Sequence, residues 1–183
     1  GPPVEWVLRM NRFPKDDELI EIAGRGELGL DLAEELGKAI AAYHAAAPVR
    51  DADGAQLIGA ILEELESAFC SMRAHLGARQ AAAFRKHSRD ALARHATLLR
   101  NRGAAGHVRR CHGDLHLRNL VLVDGRPVPF DALEFNEELG TCDVLYDLAF
   151  LLMDLDRRGL RPAANVALNA WLLAHGGSED AGV

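Results

Sequence analysis

Along most of this chain, apolar side chains recur every three or four residues, which is the spacing of an amphipathic α-helix. The pattern predicts a short helix within residues 15–26 and longer helices over about 30–47, 55–76 and 79–100. Acidic residues open the first helix, and Pro48 ends the second. Apart from its first residues, the front half of the chain is therefore predicted to be helical.

The spacing becomes that of β-strands at the start of the chain and again in its second half. Residues 4–10 are rich in Val, Trp and Leu, and three short strand-like runs follow later, at 107–114, 119–125 and 127–131. The letters VDGRPV, shared by the last two runs, predict a β-hairpin around an Asp-Gly turn.

Two helices are predicted to follow the hairpin, over 143–159 and about 162–174. Asp143 stands at the N-cap of the first, and Gly159 stands where its C-terminal stop belongs. Because short strands are inserted among segregated helices, the predicted fold class is α+β, dominated by helix.

Composition agrees with a helical protein and narrows the classes of function. The 183 residues are 49% hydrophobic but only 5% aromatic, which favours helices over a β-sandwich. A net charge of −6 argues against a nucleic-acid surface, and no apolar run approaches the length that spans a bilayer. We therefore expect neither nucleic acid nor a membrane as a partner.

The cysteines indicate a reducing environment. Cys70, Cys111 and Cys142 are scattered, without a C-x-x-C pair, so neither a disulfide scaffold nor a structural zinc site is expected. The first residues resemble neither a signal peptide nor a transit peptide, and we expect a cytoplasmic protein. Cys111 is predicted to be a small buried apolar residue.

The strongest chemical signal is HGDLHLRN, residues 112–119. Its His112, Asp114 and Asn119 follow the order H-x-D-x-x-x-x-N of a kinase catalytic loop. There the aspartate accepts or orients the proton of the attacking hydroxyl, and the asparagine offers an oxygen to magnesium, which prefers hard oxygen ligands. Asp131 follows the predicted hairpin, which returns it to the end where Asn119 lies, so both can reach one cation.

The segments HGDLHLRN, FDALEF and DVLYDLAFLLMDL resemble motifs of the aminoglycoside phosphotransferase and choline kinase family, which has the protein-kinase-like fold. The opening EWVLRMNRFP, with AAYHAAAP downstream, is most similar to a bacterial, aminoglycoside phosphotransferase-like branch often fused to a C-terminal P-loop ATPase domain. The resemblance covers nearly the whole chain and is most specific over 111–147. It implies transfer of the γ-phosphate of ATP or GTP, with Mg²⁺, to a hydroxyl of a small polar molecule.

The resemblance also implies roles for individual residues. Asp114 corresponds to the catalytic base, while Asn119 and Asp131 correspond to the magnesium ligands. His112 is expected to hold the loop. His116 stands where protein kinases carry a phosphate-contacting lysine, so the family pattern implies a phosphate contact for it as well.

Two departures from the family pattern lie near the start of the chain. Arg9 occupies the strand position of a lysine that binds the α- and β-phosphates, and a guanidinium does not align phosphates as an ammonium does. Only three residues precede that strand, where the glycine-rich loop belongs. We therefore expect the middle of a longer kinase. A small-lobe remnant would occupy 1–28, and a helical C-terminal lobe, truncated at its end, would occupy 29–183 and include the catalytic loop and metal-binding hairpin at 111–135.

Other polar residues carry structural expectations. Asp143 and Asp147 match acidic family positions and are expected to brace the catalytic loop. His44 and His95 lie on apolar helix faces and are expected to be hydrogen-bonded core histidines. A G-x-G-x-x-G occurs at 24–29, but no buried parallel strand can follow it, so it predicts a helix–turn–helix junction.

Two alternative functions stay open. Arg9 and the missing glycine-rich loop favour a nucleotide-binding pseudokinase with weak or no turnover. The alternation of His112, Asp114 and His116 would put three ligands on one face of a strand, which suits a metal-dependent hydrolase but leaves Asn119 unexplained.

Overall fold

A computed structural model describes residues 12–72, 77–133 and 137–175 of the chain. The predicted strand at 4–10, with Arg9, lies outside these residues. Within them the helices are α1 (Leu19–Gly24), α2 (Leu30–Ala46), α3 (Gly54–Ser71), α4 (Ala78–Ala104), α5 (Glu137–Gly140), α6 (Val144–Arg157) and α7 (Arg161–His175). The strands are β1 (Val108–Arg110), β2 (Leu120–Val123), β3 (Arg126–Pro129) and β4 (Thr141–Asp143). The described protein is thus mostly helical with two small antiparallel sheets, as the α+β prediction requires.

The helices predicted from hydrophobic spacing are present, and their ends differ by a few residues. Helix α3 ends at Ser71 rather than near residue 76, and 73–76 lie outside the described residues. Helix α4 continues past its predicted end at residue 100, and its last turn contains the buried Arg102. Helix α5 and strand β4 were not predicted, because neither is long enough to show a hydrophobic period.

Local capping chemistry sets several helix boundaries. Asp53 precedes α3 and accepts hydrogen bonds from the backbone nitrogens of the next turn. Asp143 does the same for α6 through Leu145 N, and Gly159 follows α6 with a φ of +78°. The N-cap and the stop predicted for α6 are therefore confirmed.

The hairpin expected from VDGRPV is formed by β2 and β3. Leu120 pairs with Pro129 and Val123 with Arg126, which leaves a two-residue turn. Asp124 and Gly125 both have positive φ, at 51° and 76°. Two successive positive φ angles define the type I′ turn that Asp-Gly favours, so the turn sets the register of this hairpin.

The glycines at 24–29 form a helix–turn–helix junction, as predicted. Gly24 ends α1, Gly26 has a φ of +74°, and Gly29 is the N-cap of α2. Helix α1, rather than a strand, leads directly into them, so they lack the context of a dinucleotide-binding turn.

The main core lies between α2, α6 and α7. Leu36 and Ile40 of α2, Leu148 and Leu151 of α6, and Trp171 of α7 are all fully or almost fully buried in one apolar cluster. The two leucines of the loop between β1 and β2 belong to the same cluster. The core therefore anchors the loop that carries the candidate chemistry. Across the described residues, no helix combines the length and apolarity needed to cross a bilayer.

Candidate active site

The candidate catalytic loop joins β1 to β2, and its side chains alternate between the core and the surface. Leu115 and Leu117 are fully buried, whereas Asp114 and His116, which precede them in turn, are partly exposed. Residues 117–119 form a single 3₁₀ turn that ends at Asn119. Burial of two leucines therefore holds the polar side chains at the surface of the loop.

His112 connects the loop to the hairpin. Asp114 N donates to His112 Nδ1 at 3.3 Å, and His112 Nε2 lies 2.8 Å from the carbonyl oxygen of Phe130. Because Nδ1 accepts, the proton sits on Nε2, which donates to that carbonyl. Leu133 N also donates to the carbonyl of His112. The expected loop-holding role of His112 agrees with these contacts.

Asp147 of α6 binds the backbone of the loop through its buried carboxylate. Its Oδ1 accepts from Gly113 N at 2.9 Å, and its Oδ2 accepts from His112 N at 3.2 Å. His44 Nε2 lies 3.1 Å from the same Oδ2, and Trp171 Nε1 donates to His44 Nδ1, so His44 donates to the carboxylate. Three donors thus satisfy one buried carboxylate. The expected bracing by Asp147 is confirmed, and so is the expectation that His44 is a bonded core histidine.

Asn119 and Asp114 are in direct contact. Asn119 Nδ2 donates to the backbone oxygen of Asp114 at 2.9 Å and to its Oδ2 at 3.2 Å. The amide nitrogen is therefore committed to Asp114, and the amide oxygen is the group left to bind a cation. Hard oxygen donors of this kind suit Mg²⁺.

The pairing of β2 with β3 places Asp131 close to Asn119 along the backbone. Asn119 O accepts from Phe130 N, and Asp131 follows directly with an exposed side chain. Its φ of +60° is in the left-handed region, which is uncommon for residues other than glycine and is found at functional sites. The hairpin therefore brings Asp131 to the end of β2 where Asn119 lies, as its predicted register required.

His116 completes the polar surface of the loop. Its Nε2 lies 3.4 Å from Asp114 Oδ1. Its Nδ1 is buried and, among the residues that the structure describes, has no hydrogen-bond partner. His116 is thus in contact with the candidate base.

The hydrolase alternative is not supported by the histidine geometry. Both ring nitrogens of His112 are engaged, one by Phe130 and the other by Asp114 N, so His112 cannot join Asp114 and His116 around a metal. In the described part of the chain, the group of three potential ligands that lie close enough for a metal is formed by His44, Cys111 and Asp147. It is entirely buried, and its histidine nitrogens are both hydrogen-bonded.

Neighbouring ionisable groups are held in their neutral form. The hydrogen bond with the Cys111 thiol, and then burial, raise the pKa of the Cys142 thiol. Burial also raises the pKa of Tyr43, with a further contribution from the Asp147 carboxylate. Cys111 is buried as predicted.

Two expectations were wrong in detail. Asp143 does not brace the loop: its carboxylate oxygens accept from Arg102 Nε at 2.7 Å and Nη2 at 2.8 Å, in a buried bidentate pair. His95 is exposed rather than buried, because it borders an open groove that residues of α3, α6 and α7 also line.

The Arg102–Asp143 pair was missed because a single arginine near the end of a helix usually pairs with water and the helix dipole. Arg109 of β1 was missed because its partners lie more than 60 residues away in the sequence. Its guanidinium donates to the backbone oxygens of His44, Ala45 and Ala47, and so satisfies the end of α2.

Comparison with known proteins adds three findings. The sequence model of a phosphotransferase enzyme family matches residues 23–181. Uncharacterized proteins of Mycobacterium bovis and Mycobacterium tuberculosis are each 38% identical to the chain over 65 residues, which is 36% of this chain and 13% of each relative. The chain thus matches a small part of these relatives. No solved structure matches it.

Proposed function

This chain belongs to the phosphotransferase enzyme family, and on that premise we propose that it carries the transfer site of an ATP-dependent small-molecule kinase. Its lobes would be those of the protein-kinase-like fold, with the described helices forming the large lobe. The observation that carries the proposal is the contact between Asn119 and Asp114 on a loop braced by Asp147. A solvated turn aspartate would need neither the brace nor the asparagine.

Asp114 is the base in this proposal. An acceptor hydroxyl donates its hydrogen bond to the Asp114 carboxylate while its oxygen attacks the γ-phosphorus. The bond between that phosphorus and the bridging oxygen breaks, the nucleoside diphosphate leaves, and the hydroxyl proton passes to Asp114. His116, in contact with Asp114 Oδ1, would steady the carboxylate and contact the phosphoryl group.

Asn119 and Asp131 would hold the magnesium ion. Their donor set fits, since one amide oxygen and one exposed carboxylate supply hard ligands at one end of the hairpin and leave the rest of the shell to phosphate and water. When bound, the ion would offset negative charge on the phosphates.

Three further parts of the proposal concern the whole protein. Arg9 would bind the α- and β-phosphates in place of a lysine, the nucleotide would be ATP or GTP, and a P-loop ATPase domain would be fused to this chain. A nucleotide-binding module without turnover is the second candidate, favoured by the replacement of lysine by Arg9.

Nucleotide binding is tested by thermal unfolding with and without ATP and magnesium. Ligand at about 100 times its Kd should add about 2.7 kcal/mol to the free energy of unfolding. We expect a rise in midpoint that requires magnesium and that is lost in Asp131→Ala. For each variant, the midpoint with ligand is compared with the midpoint of the same variant without ligand. A change in stability caused by the substitution itself is then not counted as a ligand effect. Asp51→Ala, an exposed acidic loop residue, is the matched control and should keep the rise. An equal rise in all three proteins would place the metal elsewhere.

The two candidate functions differ in turnover. In a kinase, Asp114→Asn should lower the rate of nucleoside diphosphate release by about 10²–10⁴ while the magnesium-dependent rise in midpoint remains. A rise in midpoint without any turnover in the wild-type chain, over a panel of alcohols, would favour the binding module.

A further inference from the structure

A cavity of about 480 Å³ opens beside the candidate catalytic loop on the side of His116. It is large enough for a small molecule. Its lining comes from two elements: the loop supplies His116 and Arg118, and the end of α6 with its C-cap residue supplies Asp154, Arg157 and Arg158. Because His116 also contacts Asp114, the cavity begins one side chain away from the candidate base.

The charge of this cavity is opposite to that of the chain. The protein has a formal net charge of −6, yet three arginines and one aspartate line the cavity. That aspartate is already paired, since Asp154 Oδ1 lies 2.9 Å from Arg158 Nε and its Oδ2 accepts from Leu117 N. Arg118 and Arg157 form no ion pair with any residue that the structure describes, which leaves two guanidinium groups uncompensated.

His116 connects the cavity to the candidate base. It lines the cavity, and its Nε2 lies 3.4 Å from Asp114 Oδ1. Its Nδ1 has no hydrogen-bond partner in the described part of the chain, although a buried polar atom is normally hydrogen-bonded. One side chain therefore borders both the cavity and the base.

Helix electrostatics alone do not account for this arrangement. Basic side chains are favourable in the last turn of a helix, which explains Arg157 and Arg158 on α6. The same effect explains neither Arg118, which comes from the loop, nor the unpartnered nitrogen of His116. Groups from two elements therefore converge on one cavity beside the candidate base.

Building on the kinase function proposed above, we propose that this cavity binds an oxyanion of the acceptor. The acceptor is then a small hydroxyl compound that carries a carboxylate or a phosphate near the hydroxyl to be phosphorylated. Arginine forks match both groups bidentately, so carboxylate and phosphate share the same recognition chemistry.

A second cleft, which reaches the loop at Gly113, has the opposite chemistry. It has a volume of about 490 Å³ and reaches Gly113, and its charged lining residues are Glu64 and Glu138, among apolar side chains. An acceptor alcohol with a positive charge would bind there in preference to the arginine-lined cavity. The charge of the acceptor therefore distinguishes the two sites.

The experiment titrates the chain with three alcohols that share one carbon skeleton: glycerate, glycerol and 3-amino-1,2-propanediol. Glycerol 3-phosphate and inorganic phosphate separate the carboxylate source from the phosphate source. Binding is followed by shifts of backbone amide and arginine Nε resonances at constant ionic strength set with sodium chloride. The variants are Arg157→Gln and Arg118→Gln, and the control is Arg94→Gln, an exposed arginine of α4 that does not line the cavity.

We expect the anionic alcohols to shift resonances of residues 116–118 and 157–158 and the other two alcohols to leave them unchanged. Each lining variant should weaken this binding about tenfold, as loss of one charge-assisted hydrogen-bonded partner does, and Arg94→Gln should match the wild type. Equal binding to wild type and both lining variants, preference for the amino alcohol, or no binding of any anion would overturn the proposal.

The same variants separate this proposal from the kinase function. Loss of anion binding in Arg157→Gln with an intact magnesium–ATP rise in midpoint supports both. No anion binding with an intact rise rejects the anionic acceptor alone. Anion binding with no ATP effect in the wild type leaves the cavity as an anion site and rejects the catalytic role of its neighbour.

Discussion

Asp147 shows, at the scale of a residue, how this site is positioned by a group that takes no part in the proposed reaction. The carboxylate is almost fully buried and accepts from two loop nitrogens and from His44. A buried charge is tolerated only when its hydrogen-bond capacity is filled, and here two of the donors are the backbone nitrogens of His112 and Gly113, the two residues before Asp114. The same contacts that satisfy the charge thus set the conformation of the loop.

Gly113 makes that conformation available. Its φ is +82°, and a Cβ placed on it would lie 2.8 Å from Leu133 Cδ1 and 3.1 Å from Leu139 O. Both the positive φ and the lack of space require glycine between His112 and Asp114.

Asp147→Asn should be strongly destabilising. An asparagine has one oxygen and points an NH₂ at groups that are themselves donors, so at least one buried donor loses its acceptor. We expect a loss of about 3 kcal/mol in the free energy of unfolding, measured by urea denaturation.

Asp90→Asn is the matched control for this change. Asp90 is exposed on α4 and pairs with Lys86, which lowers the pKa of its carboxyl group, and removal of that surface pair should leave the urea midpoint close to that of the wild type. Equal effects of the two substitutions would contradict the bracing role of Asp147.

At the scale of elements, the close packing of α2 on α7 determines the shape of the core. Gly37 of α2 faces the backbone of Ala167 and the Cβ of Ala170, with no room for a methyl group between the helices. Small residues on both helices therefore allow a short interhelical distance. This packing places His44, which lies two turns after Gly37 on the same face of α2, against Trp171.

Gly37→Ala tests this packing. The added methyl group must push the helices apart, and overpacking of this kind costs about 1–3 kcal/mol. Helix propensity alone would predict the opposite sign, since alanine is favoured over glycine by about 1 kcal/mol.

Gly59→Ala on α3 is the control for propensity. The nearest atom to its added Cβ is Leu92 Cδ2, at 3.8 Å, which is an ordinary contact. We expect this variant to be as stable as the wild type or slightly more stable in thermal unfolding. A stabilising Gly37→Ala would show that α2 and α7 are further apart than described here.

At the scale of the whole molecule, the candidate site belongs to the main hydrophobic core. The loop leucines, the α6 carboxylate and the two buried cysteines all lie in or against the cluster formed by α2, α6 and α7. The candidate catalytic loop should therefore not open without loss of core packing. The solvent-facing pair α3 and α4 contributes fewer buried residues and is expected to open at lower free energy.

Thiol reactivity measures this difference. Cys70 on α3 is exposed, whereas Cys111 and Cys142 are buried. We expect iodoacetamide at pH 8 to alkylate Cys70 first and the other two at least about a hundredfold more slowly, because they require unfolding of the core. Raising the pH should not make Cys142 reactive in the folded protein, since its pKa is raised.

Mass spectrometry of peptides gives the alkylation rate of each cysteine. The control is the same reaction on the protein unfolded in urea. In urea the three thiols should react at similar rates. Rapid alkylation of Cys142 in buffer alone would show that the core around the loop is open.

Much of the site was predictable because its chemistry depends on short spacings. His112, Asp114 and Asn119 lie within eight residues, and the Asp-Gly turn sets the hairpin register that brings Asp131 beside them. The role of Asp147 came from its family resemblance, and spacing alone did not reveal its donors. The pairing of Arg102 with Asp143 and the exposure of His95 were not predictable, because each depends on which helix lies opposite.

The sequence by itself determined the helical periods, the caps of α6, the I′ turn and the order of the loop residues, because each of these depends on interactions between near neighbours. Only the tertiary structure decided which groups meet across long separations. Asp147 binds Gly113 and His112 from 34 and 35 residues away, and Arg118 joins Arg157 at one cavity. Such contacts follow from the packing of whole helices on a common core, which no local spacing encodes.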